Sequence, residues 1–124
     1  MEITMARGDL ELRTFQIRSP DLNDPTGKST IPYTDPLDEI YFTVKKSHTD
    51  KEYKFQKRLT TMGILSLGNG EYQITIDPED TDGLLFGTYE FDIELVREGD
   101  LKRTYCGELN LTREVTHRSN EVVL

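Results

Sequence analysis

Acids are the residues best equipped for chemistry in this chain, with 23 Asp and Glu against 15 Lys and Arg. Their densest run is Asp77, Pro78, Glu79, Asp80, Thr81, Asp82 and Gly83, which invites a calcium reading. An EF-hand loop takes carboxylates at its positions 1, 3 and 5, glycine at 6 and glutamate at 12. With Gly83 at position 6, position 1 falls on Pro78 and position 12 on Tyr89, and neither carries a carboxylate. That motif fails. The same residues make a good helix start, with Asp77 as N-cap, Pro78 at the first helical position, and Glu79 and Asp80 at the positive end of the dipole. The expectation is a capped helical turn near 78–82, with a looser sandwich-loop calcium site as the alternative.

The remaining reactive residue types are scattered. His48 stands beside a polar turn and His117 in the polar C-terminal stretch, and no Cys or His spacing resembles a zinc site. Cys106 is the only cysteine, so an internal disulfide is impossible, which suits a reducing cytoplasm. With no activating neighbour in sequence, it reads as a small packed residue rather than a nucleophile. Carboxylates on alternating strands point to solvent, whereas a glycosidase needs two of them facing across a cleft. Gly68, Asn69 and Gly70 form a turn with no helix after it, so they are not a phosphate loop. Asn110 to Thr112 matches a glycosylation acceptor, but residues 1–9 show neither the basic nor the apolar region of a secretory leader. No catalytic, cofactor-binding or metal-binding residue is expected, and the chain reads as a non-enzyme.

Alternation dominates the elements. Tyr89, Phe91, Ile93 and Leu95 alternate with Glu90, Asp92 and Glu94, which puts the apolar set on one pleat face and the acids on the other. After a turn at Glu98, Gly99 and Asp100, a second arm sets Tyr105, Leu109 and Leu111 against Lys102, Thr104, Glu108 and Asn110. The segment reads as an antiparallel, half-buried hairpin. Ile40, Phe42 and Val44 oppose Tyr41, Thr43 and Lys45 on an apolar-rich central strand. A polar turn and a weaker returning strand over 53–60 follow, and then a hairpin over 63–76 turning at Asn69 and Gly70. Lys45, Lys46, Lys51, Lys54, Lys57 and Arg58 read as a solvated hairpin face.

Two stretches resist simple alternation. Between Asp9 and Arg18, Leu10 and Leu12 have one parity while Phe15 and Ile17 have the other. A bulge near Arg13 and Thr14, or a strand that changes sheets, would absorb the slip. Residues 19–36 hold four of the five prolines, so they read as one long loop.

At 124 residues with a 35% apolar fraction arranged in such runs, one domain over 1–116 with a tail over 117–124 is expected. The fold class is all-β, an antiparallel sandwich of about seven to eight strands with one short helical turn. Tyr89, opening the strongest strand just after a turn, fits the corner tyrosine of immunoglobulin-like sandwiches, whose hydroxyl bonds backbone. Phe91 then takes the core position two residues on. A net charge of −8 lacks the basic footprint of a nucleic-acid or anionic-membrane binder, and no apolar run is long enough to span a bilayer as a helix.

Ile3-Thr-Met-Ala-Arg-Gly-Asp9, Asp38-Glu-Ile-Tyr-Phe-Thr-Val-Lys-Lys46, Pro78-Glu-Asp-Thr81, Gly87-Thr-Tyr-Glu-Phe-Asp-Ile93 and Leu109-Asn-Leu-Thr-Arg-Glu-Val-Thr116 resemble small β-sandwich proteins of phages and prophages in Gram-positive bacteria. Among these, the sequence is similar to the N-terminal immunoglobulin-like domain of the baseplate upper protein. The resemblance implies a virion structural module in the tail or baseplate, made in the host cytoplasm, whose partners are other tail proteins or a second copy. It implies no catalytic residue. The apolar Val122, Val123 and Leu124 are the candidate partner contacts. The competing reading is a carbohydrate-binding module for wall polysaccharide, with Tyr33, Tyr41 and Tyr53 as sugar platforms in a chain that has no Trp.

Overall fold

A computed structural model describes residues 1–98 and 101–113. Among them run β1 (Glu2–Ala6), β2 (Glu11–Gln16), β3 (Arg18–Pro20), β4 (Thr30–Pro32), β5 (Glu39–Lys45), β6 (Phe55–Arg58), β7 (Ile64–Gly68), β8 (Glu71–Ile76), the turn of helix α1 (Pro78–Thr81), β9 (Gly87–Arg97) and β10 (Leu101–Thr112). The five-stranded sheet has the order β1-β10-β9-β5-β6, the three-stranded sheet β2-β8-β7, and β3 pairs with β4 alone. This is an immunoglobulin-like sandwich. The second, seventh and eighth strands share one sheet, while the fifth, sixth, ninth and tenth share the other, which is the partition of strands B, E and D against C, C′, F and G.

The core follows from parity. Ile40, Phe42 and Val44 of β5 are fully buried, and Tyr89, Phe91, Ile93 and Leu95 of β9 face the same interior. Opposite them lie Ile64, Tyr72, Ile74 and Ile76 from the smaller sheet. Phe42 anchors the layer, with its ring centroid 5.1 Å from Phe91 and 6.2 Å from Phe55. The long hairpin forms as expected, and its register sets Arg97 opposite Leu101 and Tyr89 opposite Leu109. Gly68, Asn69 and Gly70 turn the second hairpin with φ of 87°, 56° and 76°, a left-handed run that glycine and asparagine accept most easily.

Several expectations need correction. Ten strands are found among the described residues, more than the seven to eight expected. The sandwich is not wholly antiparallel, because β1 pairs parallel with β10 from Glu2 opposite Glu108 to Ala6 opposite Thr112. Ile3 and Met5 already alternate with Glu2 and Thr4, and both are buried. The segment over 19–36 is not all loop. Pro20 and Pro32 sit within the β3–β4 ribbon, which can accept proline because its outer edges need no ladder donor. The phase slip at Arg13 and Thr14 does not occur, since β2 pairs with β8 without a bulge from Glu11 to Gln16. Instead Leu10 and Leu12 stay 59% and 51% exposed on the outer face. The change of sheet comes later, at Ile17, whose N–H donates to Gly70 and whose carbonyl accepts from Tyr33. Val122, Val123, Leu124 and the boundary between 116 and 117 lie outside the described residues.

Candidate functional site

The crossover between the sheets is pinned by Tyr89. Its ring is buried, and its hydroxyl donates to the Leu85 carbonyl at 2.8 Å, four residues upstream. Lys46 closes over the ring, its Nζ 4.6 Å from the centroid while it donates to the Thr88 carbonyl at 3.0 Å. Tyr89 therefore has the expected corner geometry.

The acidic run at α1 engages a lysine. Asp80 accepts the Asp77 N–H at 2.7 Å, closing the helical turn. Both carboxylates then reach Lys57 Nζ, at 3.0 Å from Asp77 and 2.6 Å from Asp80. Lys57 is only 4% exposed, so it is not part of a solvated basic face. Burial pushes its pKa down, but the bonds and charges of Asp80 and Asp77 outweigh that and hold it above the usual lysine value. The stem packs under Gly63, where an added Cβ would lie 2.4 Å from Lys57 Cδ. Parity carried the missed signal: Lys57 follows Phe55 by two residues and must face inward with it.

A second polar knot closes the start of β5. Glu39 is 7% exposed, and its carboxylate accepts the N–H groups of Ile40 and Thr60, the Thr60 hydroxyl and the Arg58 guanidinium. Burial raises its pKa, yet those four donors prevail and keep it below the usual glutamate value. In the loop before β4, Asp24 is held well below the carboxylate range by the hydrogen bonds of Ser29 and Thr26.

On the outer face of the larger sheet a depression is lined by Thr43, Lys45, His48, Glu90, Asp92 and Cys106 among others. His48 and Glu90 meet there, with Nδ1 at 2.7 Å from the carboxylate and the His48 N–H on the same oxygen. These two bonds lower the Glu90 pKa. Asp92 moves the other way, raised by burial and then by the charge of Glu94. The sequence placed nothing near His48, because the contact spans 42 residues. Cys106 is exposed, contrary to a packed role. Among the described residues no three His, Cys, Asp or Glu side chains converge to hold a metal, and no helix is long and apolar enough to cross a membrane.

The inner face of the same sheet is incompletely covered. Tyr105 has the parity of Ile93 and Leu109, as expected, yet it is 54% exposed because the smaller sheet does not reach over it. A groove of about 440 Å³ opens there, lined by Phe15, Ile17, Phe91, Ile93, Leu95 and Tyr105 with the N-terminal residue. It continues past Tyr105 into a further 410 Å³ towards Tyr33 and Arg103.

Of the candidate sugar platforms, Tyr33 is half-buried with its hydroxyl 2.6 Å from Arg97, and Tyr41 lies beneath the Arg58 guanidinium at 4.7 Å. Tyr53 is exposed over a shallow depression that Tyr41 also lines. No protein-family model matches the chain, and no curated protein matches it.

Proposed function

We propose that this chain is a non-enzymatic structural module of a phage or prophage virion, an accessory domain of the tail or baseplate that works through protein–protein contacts. The supporting observation is how its polar groups are arranged on an immunoglobulin-like sandwich. Lys57 with Asp77 and Asp80, and Glu39 with Arg58 and Thr60, tie the chain's own elements together rather than converging on a cleft. What remains available is surface: an apolar groove and strand edges, the features through which a sheet protein recruits another chain. The sequence resemblance supplies the virion context, since a sandwich alone carries no function. Sugar recognition has less support, because the faces or hydroxyls of Tyr33 and Tyr41 already serve Arg97 and Arg58.

Quantitative mass spectrometry of purified tail particles tests the reading. The chain should appear in a fixed ratio to the tube and baseplate proteins. Particles that assemble and infect without it would contradict a structural role.

A further inference from the structure

The groove beside Tyr105 and the strand edge next to it point to one kind of ligand. β1 pairs only with Glu108–Thr112, so among the described residues no strand lies against the outer edge of Leu101–Gly107. The peptide groups on that edge can be identified. The Glu108 N–H donates to the Met1 carbonyl, and the Thr112 carbonyl accepts from Arg7, so even-numbered residues of β10 present their N–H and C=O outward. Thr104 and Cys106 share that phase, because peptide groups alternate along a strand. An open backbone ladder thus runs alongside an apolar hole of about 440 Å³ whose wall includes Phe15, Ile17, Ile93 and Leu95. A small apolar molecule would fill the hole and leave the ladder open. An extended segment with apolar side chains at every second position satisfies both.

This chain carries such a segment in Val122, Val123 and Leu124, where Val122 and Leu124 share one face of a strand. Reach decides between its own tail and another's. Eight residues, Glu114 to Glu121, separate Arg113 from Val122. Reversing direction takes about four of them, and the other four then cover ~14 Å at ~3.4 Å each. Coming level with Tyr105 from Thr112 requires ~24 Å of return travel, past an edge that β1 already occupies. A tail from another molecule has neither constraint. We propose that the groove and free edge of β10 accept the Val122–Leu124 segment of a second copy as an added strand, with Val122 and Leu124 in the groove on either side of Tyr105.

The inference does not depend on the virion reading, and a chain absent from particles could still associate in this way. The test uses the full-length protein in sedimentation and amide hydrogen exchange over a range of concentrations up to about 1 mM. Wild type should sediment as a larger species as concentration rises, with exchange at Thr104 and Cys106 slowing roughly ten-fold or more. The double variant V122D/L124D should lose both effects. So should Thr104→Pro, which deletes an edge donor at a place where proline is tolerated and leaves the tail intact. Thermal melts close to wild type confirm that each variant is folded. A protein that stays monomeric throughout would overturn the proposal. So would protection independent of concentration, which signals the chain's own tail, or association that survives V122D/L124D, which signals direct edge-to-edge pairing.

Discussion

At the residue scale, the largest effects come from side chains whose partners are buried. Tyr89→Phe removes the bond to the Leu85 carbonyl and leaves that acceptor short of a donor, which should cost about 1–3 kcal/mol. Phe91→Ala empties a site against Phe42 and should cost more, about 3–5 kcal/mol. Urea melts rank the two, and a Phe91→Ala protein as stable as wild type would remove β9 from the core. Glu39 sets an acid-sensitive window. Its folded pKa lies below the unfolded value near 4.5, so in that interval the unfolded chain binds more protons. Stability from this group is therefore present above pH 4.5 and is lost as pH falls through the folded value. Glu39→Gln should be less stable at neutral pH but lose less on acidification, as melting curves from pH 7 to about 2.5 would show. Parallel loss in both proteins would assign the acid sensitivity elsewhere.

At the element scale, strands with clean alternation and a strong turn are legible in the sequence. The β9–β10 and β7–β8 hairpins and the central β5 each alternate with period two, and turn residues close both hairpins. The elements that escaped are short or break a rule that usually holds. β3 and β4 contain proline, which normally argues against a strand, and they survive only as an isolated ribbon. β1 is a short run of five residues, and its alternation of Ile3 and Met5 is too brief to stand out as a strand by itself. Around β2 the alternation misleads, because Leu12 and Leu10 just before the strand look like core residues yet are exposed. The polar clusters were legible only in part. Asp77, Pro78 and Asp80 announce a helical start, while their pairing with Lys57 joins residues about twenty positions apart and follows from sheet packing. That pairing also bears on calcium. Since Asp77 and Asp80 already neutralise a buried ammonium, millimolar calcium should leave the melting temperature unchanged, and a clear rise would mean that the turn binds the ion in the folded state.

For the whole molecule, the sandwich has one well-filled layer between its sheets and one end where that layer is open. Gly107 marks the boundary. An added Cβ there would lie 2.3 Å from the Met1 carbonyl and 2.5 Å from the Phe91 ring, so this residue lets β1 begin where it does. On the Leu101 side of it no strand among the described residues pairs with the outer edge of β10, and Tyr105 is 54% exposed. A net charge of −8 discourages indiscriminate association of these exposed features. The central claim is that the molecule works by recruiting other chains through its surface rather than by transforming or binding a small substrate. Incorporation of a chain lacking residues 117–124 into tail particles tests it most directly, with a thermal melt to show that the truncated protein still folds. The account predicts a folded protein that is depleted from purified particles. A truncated protein incorporated as fully as wild type, or glycan binding abolished by Tyr53→Ala in the intact chain, would contradict it.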